Sequence, residues 1–215
     1  MSRKIILCMS IIMCCVVAAG AAWADVKLPD PKRGGGDGIF GLLEKRASGT
    51  RGDFPKNDIS LDELSTILWA ATGLNRDGKG WTVPTAGGKS PYVKIYAVKP
   101  DGVFLYDWKE HSLVEISNKN ALGEITGDGF VKESPCVLVF VTDAGDLGSM
   151  ASLNAGNSLA YIATGAMTQN IYLAADSLGI SGRYMVSFNG DGMKNELKLR
   201  DGETPLCIMP LGKRQ

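Results

Sequence analysis

The stretch Ser60-Leu61-Asp62-Glu63-Leu64-Ser65-Thr66-Ile67-Leu68-Trp69-Ala70-Ala71-Thr72-Gly73-Leu74-Asn75-Arg76 carries the clearest element in this 215-residue chain. Ser60 is a good helix N-cap, and Glu63 stands three residues on, at the capping-box position. Leu61, Leu64, Ile67, Leu68 and Ala71 recur at helical spacing, and Gly73 is a natural stop. The helix predicted over residues 60–71 therefore has one apolar face that must be buried against a second layer.

On its C-terminal side, residues 92–98 read as a strand, Asp101-Gly102 as a hairpin turn and residues 103–106 as the return strand, extended by residues 111–116. Cys136-Val137-Leu138-Val139-Phe140-Val141 runs on to Thr142 without a polar break, as central strands do. Residues 153–178 read as one long helix. Leu159, Tyr161, Ile162, Met167, Ile171, Tyr172 and Leu173 make it apolar around more of its circumference than one side of a monomer buries. Within it, Gln169 and Asn170 need hydrogen-bond partners if they are buried. Residues 183–188 predict another strand, residues 192–199 a short helix and residues 206–210 the last strand. Strands interspersed irregularly with helices indicate an α+β fold. On the N-terminal side, residues 39–45 form a short helix candidate with Ile39, Leu42 and Leu43 on one side. The Pro-, Gly- and Lys-rich residues before it read as an extended arm.

Residues 1–24 have the pattern of a signal peptide: Arg3 and Lys4, an apolar run over residues 5–22, then Ala22-Trp23-Ala24. Three segments follow: the signal peptide (1–24), the extended N-terminal arm (25–38) and one domain (39–215). Export to the periplasm is expected, with no stable membrane insertion after cleavage. About 190 residues then remain, enough for one domain with a real core. The 23 Lys and Arg balance the 23 Asp and Glu, so nothing draws the whole surface to nucleic acid. Cys136 and Cys207 remain after cleavage, as two buried thiols or, in an oxidising compartment, as a disulfide. His111, the one histidine, reads as a surface strand residue, and no metal site is expected. Trp69 and Trp81 read as packing residues. No G-x-G-x-x-G follows a strand, so any nicotinamide donor would have no dinucleotide-binding domain here.

Three short segments remain: Arg46-Ala47-Ser48 before the capped helix, Pro84-Thr85-Ala86-Gly87-Gly88 before the first long strand, and Leu178-Gly179-Ile180-Ser181-Gly182-Arg183-Tyr184-Met185 after the long helix. In this order and spacing the chain resembles the FMN-dependent nitroreductase superfamily, and within it the thiazole/oxazole (peptide heterocycle) dehydrogenase-like branch. The resemblance covers roughly residues 41–212. It implies an α+β fold with a mixed central sheet flanked by helices, and a homodimer with FMN at the interface. It also implies two-electron hydride transfer through flavin N5 from a small-molecule donor to a nitroaromatic, quinone or related acceptor.

The resemblance also implies roles for particular residues. Arg46 and Ser48 match the family's Arg-x-Ser phosphate contact, a chemistry to which a guanidinium and a nearby hydroxyl are suited. Thr50 stands where the family's second basic residue is expected, leaving Arg51 as its substitute. Pro84, Thr85, Ala86 and Gly87 match a loop that lies against one flavin face, usually from the partner subunit. Gly88 and Ser90 replace the Asn and Gln that many members carry. Met185, Val186 and Ser187 correspond to residues whose backbone N–H groups reach the ring near N5 and O4, and Lys213 to a late basic residue on the phosphate. No acid–base residue is implied, because the cofactor carries the reaction. Two other readings stay open: an exported protein that binds or stores flavin without catalysis, and a flavin-modifying homologue.

Overall fold

In the computed structural model, which describes residues 25–35, 38–54, 58–88 and 90–214, the apolar run from Cys136 is an interior strand of a seven-stranded sheet. The predicted signal peptide lies outside the described residues. The elements in chain order are β1 (Val26–Lys27), α1 (Ile39–Lys45), α2 (Leu61–Thr72), β2 (Leu74–Asn75), β3 (Gly80–Trp81), β4 (Val93–Lys99), β5 (Gly102–Asp107), β6 (Ser112–Ser117), α3 (Leu122–Ile125), α4 (Gly129–Lys132), β7 (Cys136–Asp143), α5 (Ser158–Ser177), β8 (Ile180–Gly182), α6 (Gly190–Glu196) and β9 (Glu203–Lys213).

The main sheet has the order β1-β6-β5-β4-β7-β9-β8, and β2 with β3 forms a separate hairpin. Every neighbouring pair is antiparallel, where a mixed sheet was expected. The reason lies in the path of the chain. β7 and β8 run in the same direction, with α5 as the crossover between them, but β9 returns between the two. No two adjacent strands are therefore parallel.

Side chains alternate across β7 as a pleated strand requires. Cys136, Leu138 and Phe140 join the core under α2 and α5, with Leu64, Ile67, Leu68, Met167 and Ile171. Val137, Val139 and Val141 face the opposite way, where α3, α4 and α6 close a second core through Leu122, Ile125, Val131 and Met193. The result is three layers, helix–sheet–helix, within an α+β fold. α2 is built as its sequence indicates, with both capping-box bonds formed between Ser60 and Glu63. Gly73 ends it with φ −73°. The glycine is needed there for space, because a Cβ would collide with the Trp69 ring.

Other boundaries differ from the sequence reading. The long helix starts at Ser158, not at residue 153, because residues 144–153 form 3₁₀ turns broken by Gly148 at φ 52°. Residues 183–188 are not a strand; a single bridge joins Met185 to Ile208. The last strand is longer than residues 206–210, and the 192–199 helix is replaced by α6. Cys136 and Cys207 are both free and fully buried, and burial pushes the Cys136 thiol up to about 12. No helix among the described residues is long and apolar enough to cross a membrane.

The arm is tied to the fold instead of hanging free. β1 pairs with β6, and the Leu28 N–H donates to the His111 carbonyl (3.1 Å). His111 is half-buried, not on the surface as expected. Its Nδ1 meets the Tyr106 hydroxyl (2.9 Å), and its Nε2 lies 2.9 Å from Ser65 Oγ and 3.1 Å from the Pro29 carbonyl. Burial is the main cause that lowers the His111 pKa below its ordinary 6.5. Lys27 and Arg33 add to it, while the Pro29 carbonyl and Asp30 oppose it. The fold thus favours the neutral ring, and the unfolded chain takes up the proton first as pH falls. This contribution to stability is present above pH 6.5 and is lost as pH falls through the lower folded value. His111→Gln should accordingly flatten the decline in urea-unfolding stability between about pH 7 and 5. Identical slopes for both proteins would show that His111 does not titrate as described.

Candidate functional site

Tyr172, in the second half of α5, is the centre of a small polar constellation. The α1 helix ends at Arg46, whose N–H donates to the Leu42 carbonyl (2.8 Å) and whose guanidinium lies over the Tyr172 ring, 5.2 Å from its centroid. Two residues on, Ser48 Oγ is 3.0 Å from the Tyr172 hydroxyl. From the other side the Tyr184 N–H donates to the same hydroxyl (2.8 Å). One phenol therefore positions the cation, the hydroxyl and the start of the 184–187 segment. A cation–π contact uses none of the guanidinium N–H donors, and Arg46 has no ion pair among the described residues, so those donors stay available to an anion.

Two further links lock these segments together. The Gly49 N–H donates to the Gly182 carbonyl (2.9 Å), and Arg183 Nη1–H donates to the Gly49 carbonyl (3.1 Å). β8 is in turn fixed to β9, and Arg214 bonds Ser181 Oγ (3.2 Å) while pairing with Asp176 (2.5 Å).

Along the 183–187 segment the backbone donors divide by side. The Arg183 N–H goes to the Pro210 carbonyl (3.2 Å) and the Met185 N–H to the Ile208 carbonyl (2.9 Å), so both face β9. The Met185 donor is therefore consumed by the sheet, contrary to the role the sequence resemblance implied for it. The N–H groups of Val186 and Ser187 make no hydrogen bond among the described residues, and both residues are exposed.

The remaining candidates lie elsewhere. The Arg51 guanidinium is over the Phe130 ring (5.9 Å). Lys213 pairs with Glu63 at the start of α2 (3.2 Å), because β9 runs on past Pro210 and carries it there. The loop Pro84-Thr85-Ala86-Gly87 is half-buried to exposed and packs by Gly87 beside Met150. Asn170 supports that loop from α5, donating to the Ala70 (3.0 Å) and Thr82 (3.1 Å) carbonyls, while Gln169 is exposed. Nothing in the sequence singled out Tyr172 as an organising residue. The one available signal was an aromatic hydroxyl on an apolar helix face, which needs a partner when it is half-buried.

Large apolar side chains are exposed on α1, in the first half of α5 and in the 184–187 segment. Phe40 is 83% exposed, Ile162 68% and Val186 65%, with Ile39, Leu43, Tyr161 and Tyr184 also exposed. No group of His, Cys, Asp or Glu among the described residues is arranged to hold a metal ion.

The sequence profile of the Nitroreductase family matches residues 43–213. A protein of Methanocaldococcus jannaschii named as a nitroreductase is 29% identical over 171 residues, covering 75% of this chain and 85% of its own. A solved structure from Ralstonia eutropha, described as a nitroreductase, is 30% identical with a TM-score of 0.81, over 92% of this chain and 93% of that one. A chain of the E. coli microcin synthetase McbBCD complex, solved with truncated pro-MccB17 bound, shares the fold at 16% identity and a TM-score of 0.65. That match covers 99% of this chain and 85% of the other. With its profile match over residues 43–213, and with Arg46, Ser48 and the 182–187 segment brought together around Tyr172, the chain belongs to the nitroreductase family.

Proposed function

We propose that this chain is an exported, homodimeric flavoprotein oxidoreductase that binds FMN with Arg46 and Ser48 at its phosphate and Val186 and Ser187 at its ring edge. The observation that carries the reading is the triple role of Tyr172, which holds a guanidinium and a hydroxyl on one side and the 184–187 backbone on the other. The residues present fit such a group: a phosphate takes the unused N–H edge of Arg46, and the two unbonded N–H groups are donors awaiting an acceptor. When bound, FMN supplies two-electron chemistry between a small-molecule donor, which is oxidised, and a nitroaromatic, quinone or related acceptor, which is reduced.

The chain's own part is binding and orientation. Tyr172 accepts from the Tyr184 N–H, so its single proton is free to be donated to Ser48 Oγ. The Ser48 proton is then left for an anion beside Arg46. Val186 and Ser187 follow on the same backbone, at the end of a segment fixed by the Met185–Ile208 bridge. In the proposed dimer the exposed apolar residues of α1 and α5 are covered by a second copy, and the Pro84–Gly87 loop closes the slot of the other subunit. The exposure of Phe40, Ile162 and Val186 supports this.

The test is titration of the purified mature protein with FMN, followed by absorbance and sedimentation. Tyr172→Phe keeps the ring under Arg46 but removes the hydroxyl, and FMN affinity is expected to fall about tenfold, for roughly 1–1.5 kcal/mol from a lost hydrogen bond. Unchanged affinity in this variant would remove the basis for the reading. A flavin-loaded monomer at micromolar concentration would refute the shared slot.

A further inference from the structure

A groove of about 390 Å³ runs between the N-terminal arm and α5, separate from the Tyr172 constellation. α5 turns about 100° per residue, so Tyr172 faces Arg46 while Leu173, Ala174 and Leu178 line the groove. Trp69 of α2 forms the facing wall, its indole fixed by an Nε1–H bond to the Leu74 carbonyl (2.8 Å). The arm closes the third side and is built in. The Pro29 carbonyl accepts from Ser65 Oγ (2.5 Å), and the Lys32 N–H donates to Thr66 Oγ1 (3.0 Å).

Most polar groups of the walls are spent internally, while Asn75 Oδ1 is buried there without a hydrogen-bond partner. Thr82 Oγ1 donates to the Trp69 carbonyl, Ser177 Oγ to the Ala174 carbonyl, and Asn170 to two carbonyls. What faces the groove is an apolar body with a cationic rim. The Arg33 guanidinium lies over the Trp69 ring, 5.3 Å from its centroid, and neither Arg33 nor Lys32 has an ion-pair partner among the described residues. A guanidinium without an ion-pair partner keeps its planar fork of N–H donors for an anion, and that fork can take a carboxylate bidentately. The volume suits a one- or two-ring molecule.

We propose that this groove is a second ligand site, which takes an aromatic carboxylic acid with its ring against Trp69 and Leu173 and its carboxylate on Arg33. The charge at the rim selects an acid over its neutral analogues, and the site does not depend on flavin.

The experiment is calorimetric titration of the mature protein, with saturating FMN present, using 1-naphthoate and its uncharged analogue 1-naphthamide. Naphthoate should bind once per chain, and naphthamide roughly tenfold or more weakly, for loss of a charge-assisted contact. Arg33→Gln should weaken naphthoate by a similar factor and leave naphthamide unchanged, whereas Lys119→Gln, which removes an exposed cation elsewhere, should alter neither. Equal binding of acid and amide to the unaltered protein overturns the proposal, as does an Arg33→Gln variant that binds naphthoate normally. Absence of naphthoate binding at millimolar concentration also overturns it, and leaves the flavin reading untouched.

Discussion

Replacing Arg46 by alanine is expected to weaken FMN binding by roughly 1.5–3 kcal/mol, about ten- to a hundredfold, for loss of a charge-assisted phosphate contact. Arg76→Ala, which removes an exposed turn cation, is expected to leave affinity within about twofold. The difference follows from what each guanidinium touches. Arg46 is held over Tyr172 by the end of α1, with its N–H edge free. Arg76 lies in the β2–β3 turn against Gly80. Fluorescence titration of FMN, whose emission changes on binding, gives both constants directly. Equal retention by the two variants would move the phosphate contact away from Arg46, with Arg51 and Lys213 next in line despite their present engagement with Phe130 and Glu63.

Phe140→Ala is expected to have the largest effect on stability, about 3–5 kcal/mol for a fully buried aromatic whose site cannot collapse. Phe140 lies midway along β7, opposite Ile95 on β4 and Cys207 on β9, and is 0% exposed. The cavity would open between the sheet and the α2–α5 layer, the part of the core that also seats Tyr172. Urea unfolding followed by far-ultraviolet circular dichroism measures the loss. A midpoint within experimental error of the unaltered protein would contradict the interior position of this strand.

The elements legible in the sequence are those specified by local chemistry. Ser60 and Glu63 formed the capping box their spacing indicated. The apolar run from Cys136 became an interior strand because six consecutive apolar residues can only be buried on both faces. Arg46 and Ser48 stood out through the order of the motifs around them, and the structure brings both against Tyr172.

What escaped depends on residues far apart in the chain or on backbone conformation. Ser48 and Tyr172 are 124 residues apart, and neither periodicity nor spacing couples them. The His111 cluster draws on Ser65, 46 residues away, and on Pro29, 82 away, so a lone histidine in a hairpin gave no sign of burial. The sequence reading began the long helix at Leu153, yet Asn157 at φ 60° cannot belong to a right-handed helix, and α5 starts only after it. Met185 was read as a donor to a ligand because its neighbours matched a motif. Its N–H is instead claimed by Ile208, and only the three-dimensional path of β9 reveals this.

If the Tyr172 constellation is a flavin cradle, it shows in the FMN content and affinity of the purified protein beside its Tyr172→Phe variant. The account predicts a yellow protein with about one FMN per chain, bleached by dithionite and reoxidised by a nitroaromatic acceptor, and a variant that binds about tenfold more weakly while unfolding at the same urea concentration. A colourless protein that takes up no FMN at micromolar concentration, or a Tyr172→Phe variant with the affinity of the unaltered chain, would contradict it.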